Sequence, residues 1–418
     1  MLDMQFIREN PEKVKENNKI RKCDISVDEI LELDKKSRNL GLQIDEKRSQ
    51  LKSSSKSKPS DKEISKLRAL GDEIKNLESS RDNVLKQLKE LIICLPNITH
   101  ESVPYGIDES GNVVVKKWGK IKEFNFEIKD HADLGVELDL IDIPRGAKVS
   151  GARFWYLKGD LVMLEFAILQ YAANFMRSKG FIPMLPPMIV RERAMFGTGF
   201  FPADKNEIYK LSGDEGEDLY LIGTAEVPLA SYHADEIIDI QGDPLKYFGF
   251  SSCFRREAGT YGKDMKGILR GHQFDKIEMF VFCDQESSWD IHEEMLGIAE
   301  ELWQSLEIPY QVLNMCSGDI GAPNAKKYDI EGWFPSQHKY RELASCSNDT
   351  DFQSRRLNIK YRAKDGSLKF VHTLNNTVCA IGRTIIAIME NYQQKDGSVE
   401  IPKVLRAFMS GQKKIERK

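Results

Sequence analysis

With 418 residues the chain is long enough for two domains and a sizeable core. Charged residues make up 30% and hydrophobic residues 41%, with a formal net charge of -4, which reads as a soluble protein and gives no overall sign of a nucleic-acid partner. No run of about 18 apolar residues exists, so no membrane span is expected, and the start Met1–Asn10 lacks the apolar core of a signal peptide, which makes the cytoplasm the expected compartment.

Asn10-Pro11 signals a short helix, with Asn at the cap and Pro at the first helical position. A heptad seam follows. Ile30, Leu33, Ser37, Leu40, Ile44, Lys47 and Leu51 step alternately by 3 and 4. Ser53 to Ser60, with Pro59, breaks it, and it resumes at Leu67, Leu70, Ile74, Leu77, Arg81, Val84, Leu88 and Leu91 before Pro96-Asn97. Two such stripes predict an antiparallel helical hairpin, each helix roughly 40–50 Å long. The narrow seam and charged flanks favour a projecting arm over the core of a helical bundle. Lys47, Arg48, Lys52, Lys56, Lys58, Lys62, Lys66 and Arg68 surround the tip, against only Asp61 and Glu63. That is a phosphate-backbone footprint or a solvated helix end. The expected organisation is an N-terminal domain over 1–100 with the arm at about 27–94, a turn-rich linker and the start of the second domain over 101–150, and the body of that domain over 151–418.

Asp160 is read as the cap of a helix with Leu164, Ile168, Tyr171 and Phe175 on its apolar face. Gly180–Val190 reads as an extended segment whose prolines confine it to an edge or an end. Leu219–Val227 reads as a strand in which Thr224 and Glu226, two apart around Ala225, share one side; taken alone it is an ordinary strand end. Tyr247–Phe250 and Ile277–Phe282 predict a hairpin with a long connection. On it, alternation puts Arg255 and Glu257 on one face, and the return carries Arg270, His272, Phe274 and Glu278. A guanidinium binds phosphate bidentately, a carboxylate accepts from an exocyclic amine, and an aromatic ring covers a base. These groups suit a bent nucleotide; they also suit a surface hairpin with a solvated loop.

Further on, Trp289–Leu306 predicts a helix, and Tyr310–Met315, Asp329–Phe334 and Tyr340–Asn348 predict strands. Glu342 and Ser345 carry hard oxygen donors of the kind Mg²⁺ prefers, but three residues apart they need a bend or bulge to reach one ion. A last helix starts near Gly382. Arg383 in its first turn opposes the helix dipole unless its partner is a phosphate. The seven cysteines are odd in number and none is spaced Cys-x-x-Cys, so neither a disulfide framework nor zinc at Cys316 and Cys346 is favoured.

Phe254-Arg-x-Glu257, a variable loop and Arg270-x-x-x-Phe274 resemble the second signature motif of class II aminoacyl-tRNA synthetases. The Arg-x-Glu-Ala-Gly start and the Gly-His-Gln-Phe-Asp-Lys return resemble its seryl members, over nearly the whole chain. The helix, strand and proline run from Asp160 to Val190 resembles the first motif, whose family role is dimerisation. Gly382-Arg383 resembles the end of the third.

The resemblance implies an α+β fold, a coiled-coil arm followed by an antiparallel sheet flanked by helices. It implies a homodimer that forms seryl-adenylate from serine and ATP, then transfers serine to tRNA(Ser), with tRNA(Sec) open as a second acceptor. Arg255, Glu278 and Arg383 would be catalytic. Thr224, Ala225, Glu226, Arg255, Glu278 and Thr377 would bind serine. Arg255, Arg256, Glu257, Arg270, Phe274, Glu342, Leu343, Ala344, Ser345 and Arg383 would bind ATP, with Mg²⁺ on Glu342 and Ser345. Lys52, Lys56, Lys58 and Lys62 on the arm would meet tRNA, across the dimer. Ala344 stands where the family has Ser, and Asn376, Val378 and Cys379 depart from its pattern around Thr377. A non-catalytic coiled-coil adaptor gives no reason for Arg255, Glu257, Glu278 and Arg383 to coexist. The long arm argues against a related ligase that charges a carrier protein.

Overall fold

The computed structural model describes residues 1–54, 61–211, 218–240, 242–258 and 266–417, in two compact units, Met1–Ile98 and Thr99–Lys418. The first is helical: α1 (Met4–Glu9), α2 (Pro11–Ile20), α3 (Val27–Ser54) and α4 (Asp61–Ile92). Pro11 opens α2, but Asn10 does not cap it. Asn10 also closes α1, and its amide is turned back to donate to the Phe6 carbonyl at 3.2 Å.

The two long helices pair antiparallel along the heptad seam. Ile30, Ser37, Ile44, Ile74, Val84 and Leu88 are buried, while most positions between them are exposed. At its base the seam merges with Leu2, Ile7, Val14, Ile92 and Leu95 in one apolar cluster. Lys47 bonds Glu73 at 2.5 Å and Arg48 bonds Glu78 at 2.7 Å across the helices, so two cations read as part of the basic tip are paired along the stem. Lys52 is exposed. Lys56 and Lys58 lie outside the described residues, as does the Lys62 side chain.

The second unit is built on an eight-stranded sheet. In chain order its strands are β1 (Val113–Trp118), β2 (Ile182–Met184), β3 (Leu245–Phe254), β4 (Gln273–Cys283), β5 (Tyr310–Asn314), β6 (Lys326–Phe334), β7 (Lys339–Asn348) and β8 (His372–Ala380). Their spatial order is β1-β5-β6-β7-β8-β4-β3-β2, antiparallel except for the last pair. The stretch read as linker and start of this domain supplies an edge strand. Its three valines and two lysines carry little apolar alternation, because an edge strand with both faces largely exposed needs none. Pro183 sits in the opposite edge strand, where a residue without an N–H is tolerated.

The helices of this unit are α5 (His131–Glu137), α6 (Ile143–Ser150), α7 (Asp160–Ser178), α8 (Glu192–Thr198), α9 (Glu226–Ser231), α10 (Ser288–Ser305), α11 (Phe352–Leu357) and α12 (Ile381–Tyr392). Leu164 and Ile168 of α7, Met295 and Leu302 of α10, and Ile385 and Met389 of α12 share the main core with Ile277, Met279, Ile330 and Leu374 of the sheet. Asp160 is not the cap of α7. Gly159, at φ +56°, takes that position, and Asp160 begins the helix and accepts from Gln412. All seven cysteines are free thiols, and Cys316 and Cys346 contact different backbone carbonyls, those of Asp108 and His292. Among the described residues no helix is long and apolar enough to cross a membrane.

Candidate active site

The central strands β7, β8, β4 and β3 line up the residues singled out above. Phe254 pairs with Gln273, and beyond that pair Arg255 N–H donates to the His272 carbonyl while His272 Nδ1 returns a bond to the Arg255 carbonyl at 3.0 Å. Strand alternation does not carry Glu257, because β3 stops at Phe254. Glu257 is brought round by a left-handed backbone, φ +51°, and reaches the same cleft as Arg255. Its carboxylate accepts from Arg270 at 2.7 Å. Arg255 lies with its guanidinium 5.2 Å from the centre of the Phe274 ring, and its Nε donates to the Gly223 carbonyl. A cation over an aromatic face is attractive.

Two β-bulges frame the opposite wall. On β7, Ala344 pairs with Ile330 and Glu342 with Glu331, which leaves Leu343 as the extra residue. On β8, Cys379 pairs with Ile277 and Thr377 with Glu278, which leaves Val378 as the extra residue. A bulge re-aims the side chains beside it. The first is the distortion that Glu342 and Ser345 required, and both residues line the cleft. The second turns Thr377 toward Glu278, while Asn376 points away and donates to the Met295 carbonyl and Val378 and Cys379 enter the core. The departures from the family pattern therefore lie beneath the wall rather than on it.

The cleft encloses about 710 Å³, open mouth included, and is lined by Arg255, Glu257, Arg270 and Phe274 on one side and Glu342, Leu343, Ala344, Ser345 and Arg383 on the other, with Lys276 and Thr377 at its floor. Arg383 donates to the Glu342 carbonyl at 2.7 Å and to its carboxylate at 3.1 Å. Burial pushes the Glu342 carboxyl up, but the Arg383, Lys327 and Arg255 charges outweigh it and hold it near 2. Glu342 is thus an anion at neutral pH, with 44% of its side-chain surface still open. An ionised carboxylate and a hydroxyl on one cleft wall fit a hard divalent cation.

Below the cleft lies a buried polar cluster. Glu278 is ion-paired with Lys276 and accepts from Thr377 at 3.3 Å. Thr224 and Glu226 do not end a strand as expected. The strand stops at Leu221, and Glu226 opens α9, its N–H donating to Thr224 Oγ1 at 3.2 Å. Burial first, then the charges of Asp349 and Glu278, push the Glu226 carboxyl up to about 8, against the pull of Lys276 and a 2.8 Å bond from Gln353. Ala225 is fully buried beside them. Arg256 is exposed, its N–H bonded to the Glu207 carbonyl, and it is not among the cleft-lining residues.

Sequence reasoning missed Lys276, Asp349 and Gln353. The period-2 spacing of Phe274, Lys276 and Glu278 could have found the first. Asp349 and Gln353 come from a distant stretch that only the fold brings near.

The sequence profile "tRNA synthetase class II core domain (G, H, P, S and T)" matches residues 209–392, and "Seryl-tRNA synthetase N-terminal domain" matches residues 1–99. A serine–tRNA ligase of Dictyoglomus turgidum is 46% identical over 419 residues, covering 98% of each chain. One from Nitrosopumilus maritimus is 42% identical over 424 residues, covering 99% of this chain and 100% of its own. The crystal structure of seryl-tRNA synthetase from Pyrococcus horikoshii complexed with ATP matches with a TM-score of 0.94 at 43% identity, covering 100% of both chains. The chain belongs to the seryl-tRNA synthetases, a family of class II aminoacyl-tRNA synthetases.

Proposed function

We propose that the chain is a serine–tRNA ligase that joins serine to ATP as seryl-adenylate and passes the seryl group to the 3′ end of tRNA(Ser). The observation that carries this reading is the single cleft in which a guanidinium, a carboxylate and an aromatic ring on the hairpin face an anionic carboxylate and a second guanidinium across the sheet. Chemistry of this kind is positioning and charge stabilisation, with no protein nucleophile. Arg255 holds the α-phosphate and the serine carboxylate, and the charge it supplies grows in value as the phosphorus is attacked. Glu257 accepts from the adenine amine and Phe274 stacks on the ring. Arg270 and Arg383 hold the outer phosphates, and Leu343 and Ala344 lend backbone groups. Glu342 and Ser345 would hold Mg²⁺, which supplies charge neutralisation between phosphates. Glu278, Glu226, Thr224 and Thr377 surround the serine.

The chain works as a homodimer. Large apolar side chains stay exposed along one stretch, Met163, Phe166, Ile182, Leu185 and Ile189, within the segment that resembles the dimerisation motif. The arm grips the tRNA, with Lys52, Lys56, Lys58 and Lys62 on its phosphates, and the acceptor end enters the cleft of the other protomer. The test is charging: the full chain with ATP, Mg²⁺, labelled serine and tRNA(Ser) yields label precipitable with the tRNA. No such label, with tRNA that a known seryl enzyme charges, would contradict the reading.

A further inference from the structure

We infer that His131 is a positioning residue for the nucleotide side of the cleft, holding the limb Lys266–Arg270 to α12 through a neutral imidazole of one tautomer; this rests on the function proposed above. His131 is buried at the start of α5. The Ile268 N–H donates to its Nε2 at 3.1 Å, so Nε2 carries the lone pair. Nδ1 therefore carries the proton and donates to Glu390 Oε1 at 3.1 Å. Glu390 is fully buried, and its other oxygen accepts from the Ser336 N–H and hydroxyl, at 3.1 and 2.7 Å. Each partner fixes the next, which is how a buried chain of hydrogen bonds sets a side-chain orientation.

Ile268 and Leu269 seat the limb in the main core, and of its two polar ties to α5 the imidazole contact is the buried one. Lys266 pairs with Asp130 and Asp133, but its side chain is 59% exposed, where ion pairs contribute little. Gly267 passes against the ring at φ +77°, and a Cβ there would lie 2.0 Å from His131 Nε2. Ile268 is buried, so its N–H has no water to replace the imidazole. The next residues, Leu269 and Arg270, line the cleft, and Arg270 grips Glu257. Glu390 stands seven residues after Arg383 on the same helix, two turns along it. One rigid element thus references both the Arg383 wall and the Arg270 wall.

Serine-dependent ATP–pyrophosphate exchange tests the assignment with three variants of the full chain. His131→Asn retains a donor toward Glu390 and loses the acceptor for Ile268. We expect the KM for ATP to rise about tenfold with the KM for serine within about twofold, and the Ile268 amide to exchange hydrogen faster. His131→Gln carries an amide oxygen that reaches the Nε2 position and should recover most of the ATP KM. Gly267→Ala, which crowds the ring without altering it, should show the same ATP-selective loss. An unchanged ATP KM in His131→Asn or Gly267→Ala overturns the assignment. So does equal impairment of the Asn and Gln variants in step with their melting temperatures. Absence of serine-dependent exchange in the unaltered chain would instead remove the proposed function on which the inference rests.

Discussion

Removing the outer arm should separate amino-acid activation from tRNA charging. The cross-helix contacts set where to cut. Gly41 lies against Arg81, Lys47 bonds Glu73, and Arg48 bonds Glu78, so excising 41–81 and joining Leu40 to Asp82 by a short Gly/Ser turn takes off matched lengths. A larger excision through Ile92 would remove Ile30, Leu88 and Ile92 from the cluster they share with Leu2, Ile7, Val14 and Leu95. The shorter cut spares that cluster and removes buried Ile44 and Ile74, whose burial, about 1.5–3 kcal/mol each, stabilises the arm alone.

It also removes the stretch 47–68, in which eight Lys and Arg stand against two acidic residues. Serine-dependent pyrophosphate exchange should stay within about twofold, while tRNA charging falls by about 10²-fold or more at moderate salt. In the full-length chain, changing Lys52, Lys56, Lys58 and Lys62 together to Ala should lower the slope of log affinity against log salt by about 3, as four lost phosphate contacts require. Charging at the unaltered rate by the excised protein would refute the role given to the arm.

Two further predictions concern the cleft and the polar cluster beneath it. Arg255→Ala should lower serine-dependent exchange by about 10³-fold with an unchanged melting curve, because the guanidinium faces the cleft and not the core; near-normal exchange would remove it from the mechanism. Glu226→Gln should change how stability depends on pH. With its carboxyl raised from 4.5 to about 8 in the fold, Glu226 is protonated in the folded protein over a range where the unfolded chain has already lost that proton. Its contribution is complete below pH 4.5 and is lost as pH rises through 8, on the order of 1 kcal/mol per pH unit. The Gln variant lacks this loss, so its urea midpoint should overtake that of the parent as pH rises from 5 to 9. Parallel pH profiles would contradict the raised carboxyl.

Much of the fold was legible because it rests on periods. The 3-4 spacing from Ile30 to Leu91 dictates a paired helical hairpin, and the proline-bearing edge strand and the main hairpin follow from local chemistry. What was not legible depends on backbone departures and distant neighbours. Nothing in Glu342-Leu-Ala-Ser345 says that Leu343 is the bulged residue, since that is set by the register with Ile330 and Glu331. Glu257 reaches the cleft through a left-handed turn, not through strand alternation. Thr224 and Glu226 meet across the start of a helix that the apolar run Leu219–Val227 disguised as strand. Val113–Trp118 escaped notice because its edge position imposes no buried face.

The central claim is that the cleft and the polar cluster beneath it activate serine and no other amino acid. Pyrophosphate exchange measured with each of the twenty amino acids, at fixed ATP and Mg²⁺, tests it most directly. Buried groups built to bond a hydroxyl are left unpaired by alanine, so exchange with serine should exceed that with alanine by on the order of 10⁴. Threonine, larger by one methyl, should be refused at a floor already occupied by Thr377. Comparable exchange with alanine and serine, or exchange driven by some other amino acid, would contradict the account.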